Sequence, residues 1–283
     1  MGAGAPPVGE HRRRPPIPIV PVDASARAAA ARRGGGNLAV WAAGVTGADP
    51  PPVRARILLA GEAGLTAGSR AAQAAVDVVS VDSSLAPVRD ITREPAMSVG
   101  EVALAVDAGR ELAAQAAADG VTVLVIVSTG AGGATPARAV AAALTGAAAA
   151  TSDPAAARAL ALHADAITGP LGALRRLGTP AIGILCGVAL GAGERGLGCV
   201  CDGLAATAAA AVAAGIEPGL RARLIAARPS RDPAHAALLD HLELATVLGE
   251  PLAKGAVAGA PGEPGGTGAV VAALRVVAAD AGS

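Results

Sequence analysis

The sequence has almost no aromatic residues: among 283 residues there is no Phe and no Tyr, and Trp41 is the single Trp. Single-stranded nucleic acids bind on platforms of stacked aromatic side chains, which this composition cannot build apart from Trp41. The 23 basic and 23 acidic residues cancel, so no charge surplus attracts nucleic acid or an anionic membrane. We therefore expect neither as a partner. The 52% hydrophobic content must pack as Ala, Val and Leu, which favours thin helices lying close to a sheet.

Cysteine is also scarce, with only Cys186, Cys199 and Cys201. Their number and spacing suit neither a disulfide framework nor a zinc site, so we predict no bound metal. Cys199 and Cys201 lie two apart in a predicted strand and face the same side, where we interpret them as small buried side chains rather than a redox pair. A reducing, cytoplasmic location fits this pattern.

Signals for membrane insertion or export are lacking as well. Residues 121–150 are long enough to cross a bilayer, but glycines, Pro136 and Arg138 interrupt them, and Ala is a weak driver of insertion. The arginines at positions 12–14 are followed by prolines rather than by the apolar segment of a secretory signal. We expect no transmembrane helix and no signal peptide.

The chain divides by composition into two parts. Residues 1–35 are rich in Pro, Arg and Gly, which is typical of a leader that is partly disordered, with residues 17–22 able to lie extended along the body. Residues 36–283 are predicted to form a single α/β domain.

Strand patterns alternate with helix patterns through this domain. Strands are predicted over residues 56–60, 76–81, 121–127, 197–201 and 224–226. Ser98 followed by Glu101 forms a capping box that begins a helix ending near Ala118, and the apolar run over residues 182–190 predicts a buried helix. Such repeats predict an open parallel sheet flanked by helices, which binds ligands outside the carboxyl ends of its strands.

Residues 128–136 follow the most apolar strand and contain Gly130, Gly132 and Gly133 before a helix. Thr135 is a candidate N-cap, and Pro136 fits the first helical turn. Free backbone N–H groups and the positive end of the helix dipole would attract an anion here. The stretch completes neither a Walker loop nor a dinucleotide fingerprint, so a tight turn without a ligand is an equal alternative.

Taken in order, the loops of this chain resemble those of the nicotinate-nucleotide:dimethylbenzimidazole phosphoribosyltransferase family. The similar segments are Pro21-Val22-Asp23-Ala24, Leu38-Ala39-Val40-Trp41, Arg54-Ala55-Arg56-Ile57, Ala60-Gly61-Glu62-Ala63-Gly64, Arg93-Glu94-Pro95-Ala96-Met97-Ser98, Cys201-Asp202-Gly203, Ser230-Arg231-Asp232-Pro233-Ala234-His235 and Gly266-Thr267-Gly268-Ala269. The resemblance implies a Rossmann-like α/β fold with a small lobe from the N- and C-terminal segments. It also implies a homodimer.

The resemblance implies transfer of the phosphoribosyl group of nicotinate mononucleotide to 5,6-dimethylbenzimidazole, without a cofactor. Glu263 is the candidate general base, and the candidate substrate-binding residues are Glu62, Ser128, Gly130, Gly132, Gly133, Thr135, Asp202, Ser230, His235, Gly266, Thr267 and Gly268. The chain also departs from the family pattern. Gly265 stands where the family has its catalytic Glu, and Ser128, Gly133 and Ala63 replace its loop Glu, Asn and His. A divergent, shortened relative that binds without turnover is therefore the alternative.

Several candidates have a structural interpretation beside the functional one. Asp202 either binds ribose or N-caps the following helix, and Glu62 either orients substrate or is a solvated loop acid. His235 either contacts phosphate or packs at the start of its helix. His163 and His241 lack a partner pattern and are predicted to lie on the surface, while Arg175 and Arg176 are interpreted as a solvated face.

Overall fold

Five parallel strands form the central sheet of the computed structural model, which describes residues 17–61, 77–84, 88–129, 133–146, 153–249 and 267–279. The strands are β1 (Ala55–Gly61), β2 (Val78–Asp82), β3 (Val123–Thr129), β4 (Gly198–Asp202) and β5 (Leu224–Ala226). Their spatial order is β2-β1-β3-β4-β5, and every pair of neighbours is parallel. The predicted open parallel sheet is confirmed.

Helices connect the strands and cover both faces of the sheet. In chain order they are α1 (Ala24–Arg32), α2 (Asn37–Thr46), α3 (Val99–Ala118), α4 (Ala134–Thr145), α5 (Pro154–His163), α6 (Gly169–Leu177), α7 (Pro180–Glu194), α8 (Leu204–Ile216), α9 (Pro233–Leu242) and α10 (Thr267–Ala279). The capping box at the start of α3 is confirmed: the Ser98 hydroxyl accepts from the Glu101 amide, and the Glu101 carboxylate accepts from the Ser98 amide.

On one face, small residues let helices approach closely, as the composition led us to expect. Helix α7 is buried from Pro180 to Gly193 and packs against α3. A Cβ at Gly109 would collide with the Ile184 carbonyl, and one at Gly187 with the Val106 carbonyl. Glycine is required at both positions because the two backbones touch there.

The other face carries the N- and C-terminal segments. Trp41 of α2 and Val270, Val271 and Leu274 of α10 belong to one buried cluster with the sheet residues Ile57, Val125 and Val200. The segments expected to form a small lobe thus lie together on this face.

The extended course predicted for residues 17–22 is confirmed. The Val20 amide donates to the Gly193 carbonyl. The buried Arg223 guanidinium donates to the carbonyls of Val20, Pro21 and Gly196, at 2.5, 2.8 and 2.6 Å. Helix α1 lies within the segment predicted as a leader. The division into a leader of residues 1–35 and a domain of residues 36–283 stays a prediction.

Two of the sequence-based predictions are wrong in detail. His163 was expected on the surface, but it is 4% exposed, and its Nε2 lies 2.9 Å from the Ile91 carbonyl oxygen. The strand predicted over residues 121–127 runs from Val123 to Thr129, because the Val121 amide still donates to the Ala116 carbonyl at the end of α3 and pairing with β1 begins only at Val123. A continuous apolar run indicates burial, and Val121 is buried without belonging to the strand.

All three cysteines are buried, as predicted. Burial raises the pKa of the Cys186 thiol to about 12. A hydrogen bond with Cys199, together with burial, raises the pKa of Cys201. Both therefore remain thiols at neutral pH rather than nucleophilic thiolates. Within the described ranges, no helix is long and apolar enough to cross a membrane, and no cluster of three or more His, Cys, Asp or Glu could hold a metal ion.

Candidate functional site

The strand order changes direction between β1 and β3. The chain passes from β1 outward to β2, then returns to β3 on the other side of β1, so the connections on the two sides diverge at this point. Sheets of this order bind ligands in the crevice at that switch. Gly61 ends β1 opposite Thr129 of β3, and a Cβ on Gly61 would overlap the carbonyl and hydroxyl oxygens of Thr129. Only glycine lets the two strand ends lie this close.

The start of α4 lies beyond β3 at this edge. Ser128 is half-buried near the end of β3, opposite Ala60. Gly133 occupies the N-cap position, and within the described part of the chain no side chain caps the helix. The amides of Gly133, Ala134 and Thr135 therefore have no acceptor from their own helix, because the first turn of any helix leaves these groups unbonded. This is the arrangement that binds an anion at a helix start.

Thr135 is not the N-cap of α4. It lies in the first turn of α4, one residue inside the helix, so the N-cap prediction is wrong. Its hydroxyl donates instead to Asp153 Oδ2 at 2.7 Å. Asp153 also caps α5, accepting from the amides of Ala155 and Ala156 at 2.9 and 3.4 Å. The hydrogen bond from Thr135 is the main reason that the pKa of Asp153 is lowered.

Arg138 joins the loops at this edge. Its Nε and Nη2 donate to Asp232 Oδ2 at 3.1 and 2.9 Å, and its Nη1 donates to Asp153 Oδ2 at 3.3 Å. Asp232 is the N-cap of α9, accepting from the Ala234 amide at 2.9 Å, and its own amide donates to Ser230 Oγ at 3.0 Å. We call Arg138, Asp153 and Asp232 the carboxyl-edge bridge. It fixes the start of α4 against the start of α9, which carries His235, and the Ser230 loop before it.

Asp202 ends β4 and is buried beside Arg228. The Asp202 residue is 1% exposed and Arg228 4%, and Arg228 Nε lies 3.8 Å from Asp202 Oδ1. The N-cap of α8 is Gly203, at φ 91°, so the alternative that Asp202 caps this helix is wrong. The Asp202 side chain is fully buried in this pair, and a contact with ribose stays a prediction.

His235 lies in the first turn of α9 and packs against α8. It is 1% exposed, and its Nε2 lies 2.9 Å from Thr207 Oγ1. Because the Thr207 hydroxyl donates to the Gly203 carbonyl at 2.9 Å, it accepts from the histidine, which assigns the proton to Nε2. Burial lowers the pKa of His235 to about 4, so the ring is neutral at pH 7. This agrees with the packed interpretation, and a contact with phosphate stays a prediction.

Other predicted site residues cannot be placed at this edge. Glu62, Gly130, Gly132, Glu263 and Gly266 lie outside the described residues. Thr267 and Gly268, which were expected in a loop, are the first residues of α10. The sequence pattern predicts a final helix over residues 269–278, so the observed helix starts two residues earlier.

The sequence-based reasoning missed Arg138, Asp153 and Arg228 as parts of the site. Arg138 was noted only because its charge interrupts an apolar run. The signal for Asp153 was present, because an Asp followed by Pro154 is typical of an N-cap with Pro in the first turn. No local pattern marks Arg228, whose ion pair with Asp202 joins the ends of two different strands.

Comparison with known proteins agrees with this geometry. A family model described as a phosphoribosyltransferase matches residues 35–279. A protein of Xanthomonas campestris pv. campestris (strain B100) named nicotinate-nucleotide–dimethylbenzimidazole phosphoribosyltransferase is 35% identical over 186 residues, which cover 60% of this chain and 53% of that protein. The match thus spans about half the length of that relative.

Longer matches carry the same name. The protein of Cereibacter sphaeroides (strain ATCC 17025 / ATH 2.4.3) is 32% identical over 261 residues, 84% of this chain and 71% of its own. A crystal structure of the Thermus thermophilus protein of that name superposes with a TM-score of 0.72 at 28% identity, covering 90% of this chain and 95% of that one.

Proposed function

This chain belongs to the nicotinate-nucleotide:dimethylbenzimidazole phosphoribosyltransferase family, and on that premise we propose that it transfers the phosphoribosyl group of nicotinate mononucleotide to 5,6-dimethylbenzimidazole. The product would be α-ribazole 5′-phosphate, a precursor of the lower ligand of cobalamin. The observation that carries the proposal is the carboxyl-edge bridge. It joins the glycine-loop helix to the Ser230–His235 segment, two parts of the chain far apart in sequence that the family resemblance assigned to one substrate.

The start of α4 is the proposed phosphate site. The amides of Gly133, Ala134 and Thr135 would donate to the phosphate oxygens together with the glycine loop before them. The helix dipole alone contributes about 0.3–1 kcal/mol, so most of the affinity must come from these directed hydrogen bonds. Among the described residues, no atom lies within 4 Å of the position that a Cβ on residue 133 would take.

Asp202 is the proposed acceptor for the ribose hydroxyls. Its carboxylate lies at the end of β4, with Arg228 Nε 3.8 Å from Asp202 Oδ1. In the reaction, a benzimidazole nitrogen forms a bond to C1′ as the bond from C1′ to the pyridinium nitrogen of nicotinate breaks. The bonding electrons neutralise that pyridinium, so the leaving group needs no metal. The azole proton passes to a carboxylate, for which Glu263 remains our prediction.

The alternative is a relative that binds nicotinate mononucleotide or an azole without turnover. It is favoured by one feature of the sequence, the glycine at position 265 where the family has its catalytic glutamate. Glu263 lies two residues before that position, and as the base it must still come within about 3 Å of the proton that it abstracts.

The test is to incubate the purified protein with both substrates and to measure α-ribazole 5′-phosphate by mass spectrometry. Product that disappears in Glu263→Gln supports transfer by this chain. No product at high enzyme concentration, with a thermal shift caused by nicotinate mononucleotide, supports the binding protein instead. In that case Gly265→Glu should create activity.

We also propose that the protein is a cytoplasmic homodimer, as the family resemblance implies. Size-exclusion chromatography with light scattering measures the mass, and a monomer at micromolar concentration would contradict the dimer.

A further inference from the structure

The carboxyl-edge bridge has an imbalance of charge. One guanidinium, on Arg138, faces two carboxylates, those of Asp153 and Asp232. All three side chains are 30% exposed or less, so water screens them only in part. The pKa of Asp153 is lowered, so this carboxylate carries its negative charge at neutral pH.

These carboxylates stand beside the proposed phosphate site. Asp153 accepts from Thr135, which belongs to the first turn of α4, whose amides would hold the phosphate. Arg138 lies one turn further along the same helix. Charges that lie closer together than the Debye length, about 10 Å at 0.1 M salt, are only partly screened from each other. Without Arg138, two carboxylates would oppose a dianionic phosphate at the helix start.

We propose that Arg138 is a positioning residue for the anionic substrate. It neutralises Asp153 and Asp232 and holds the starts of α5 and α9 in place, so that the start of α4 accepts a phosphate. This inference deepens the proposed function and rests on it for the identity of the anion. The residue acts through the field at the helix start and does not touch the reacting atoms. Affinity for the neutral azole should therefore not depend on it.

The first test compares Arg138→Met with the wild type. We expect KM for nicotinate mononucleotide to rise about tenfold, which corresponds to ~1.4 kcal/mol, while KM for 5,6-dimethylbenzimidazole changes less than about twofold. Adding Asp232→Asn to Arg138→Met should restore most of the affinity, because asparagine keeps an N-cap acceptor but removes the excess charge. An equal rise in both KM values, or no rescue, would overturn the inference.

A second variant does not depend on the folding of Arg138→Met. Asp153→Asn keeps the cap of α5 and removes one negative charge while Arg138 stays in place. It should lower the dissociation constant for nicotinate mononucleotide by about threefold at low salt, and the gain should shrink as salt is added. Weaker binding by this variant would contradict the charge argument.

The chain supplies a matched control at the opposite edge of the sheet. Arg56 also bridges two aspartates, with Nε 2.9 Å from Asp77 Oδ2 and Nη1 2.7 Å from Asp119 Oδ2. We call these three residues the amino-edge bridge. Arg56→Met removes an equivalent bridge far from the phosphate site, so it should leave both KM values unchanged. A similar rise in KM for the anion would mean that general destabilisation, not local charge, is responsible.

Calorimetric titration with nicotinate mononucleotide separates this inference from the proposed function. Binding by the wild type without turnover would overturn the proposed transfer. The dissociation constants of the variants would still test the role of Arg138. Turnover and binding that are equal in the wild type and Arg138→Met would overturn the inference alone. An absence of binding to the wild type would overturn both.

Discussion

The two arginine bridges use the same residue types and similar distances at opposite edges of one sheet. The amino-edge bridge ties the start of β2 to the end of α3, where Asp119 is the C-cap. The carboxyl-edge bridge ties together the starts of α4, α5 and α9, where Asp153 and Asp232 are N-caps. Helix ends at the amino edge are negative and helix starts at the carboxyl edge are positive. The same residue types therefore stabilise structure at one edge and, in our proposal, shape an anion site at the other.

The largest expected effect concerns how tightly each edge is packed. Gly61→Ala at the carboxyl edge would place a Cβ on the backbone of Thr129, whereas Gly198→Ala at the amino edge would press on the side chain of Trp41. Because paired strands cannot move apart cheaply, we expect Gly61→Ala to cost about 4 kcal/mol of unfolding free energy, and Gly198→Ala about 1–2 kcal/mol. Urea unfolding measures both, and a larger cost for Gly198→Ala would reverse the comparison.

A smaller effect should follow from pH, since the carboxyl edge carries the buried His235. The pKa of this histidine falls from 6.5 to about 4 on folding because of burial. Between those values the unfolded chain binds more protons, so stability is full above about pH 6.5 and is lost as the pH falls toward 4, by about 3 kcal/mol. Urea unfolding at pH values from 4.5 to 7.5 measures the free energy of unfolding. This free energy should change less steeply with pH in His235→Gln than in the wild type. Equal slopes would exclude this histidine as the cause.

The smallest effect separates capping from bridging at Asp232. Asp232→Ala removes the acceptor for the Ala234 amide and should cost about 1 kcal/mol, whereas Asp232→Asn keeps the acceptor and should cost less than half as much. Thermal unfolding compares the two variants. If both lose the same stability, the bond to Arg138 matters more than the cap, and the two bridges resemble each other more closely than we infer.

Local patterns predicted much of the fold. The apolar strand before the glycines, the Ser98–Glu101 capping box and the buried helix over residues 182–190 were all visible, because each depends on neighbours within a few residues. The errors have a different origin. Thr135 and Asp202 are both good cappers by residue type, yet Thr135 bonds to Asp153 and Asp202 pairs with Arg228. Capping propensity was overridden by partners that are distant in sequence.

The sequence by itself determined which segments become strands and helices, and it indicated that the glycine loop, Asp202 and the Ser230–His235 loop follow strand ends. Only the tertiary structure decided that Arg138 reaches Asp232, that Arg228 faces Asp202 and that β1 lies between β2 and β3. The reason is physical. Secondary structure is set by hydrogen bonds and burial that repeat along the chain, whereas a long-range ion pair depends on the strand order, which no local repeat encodes.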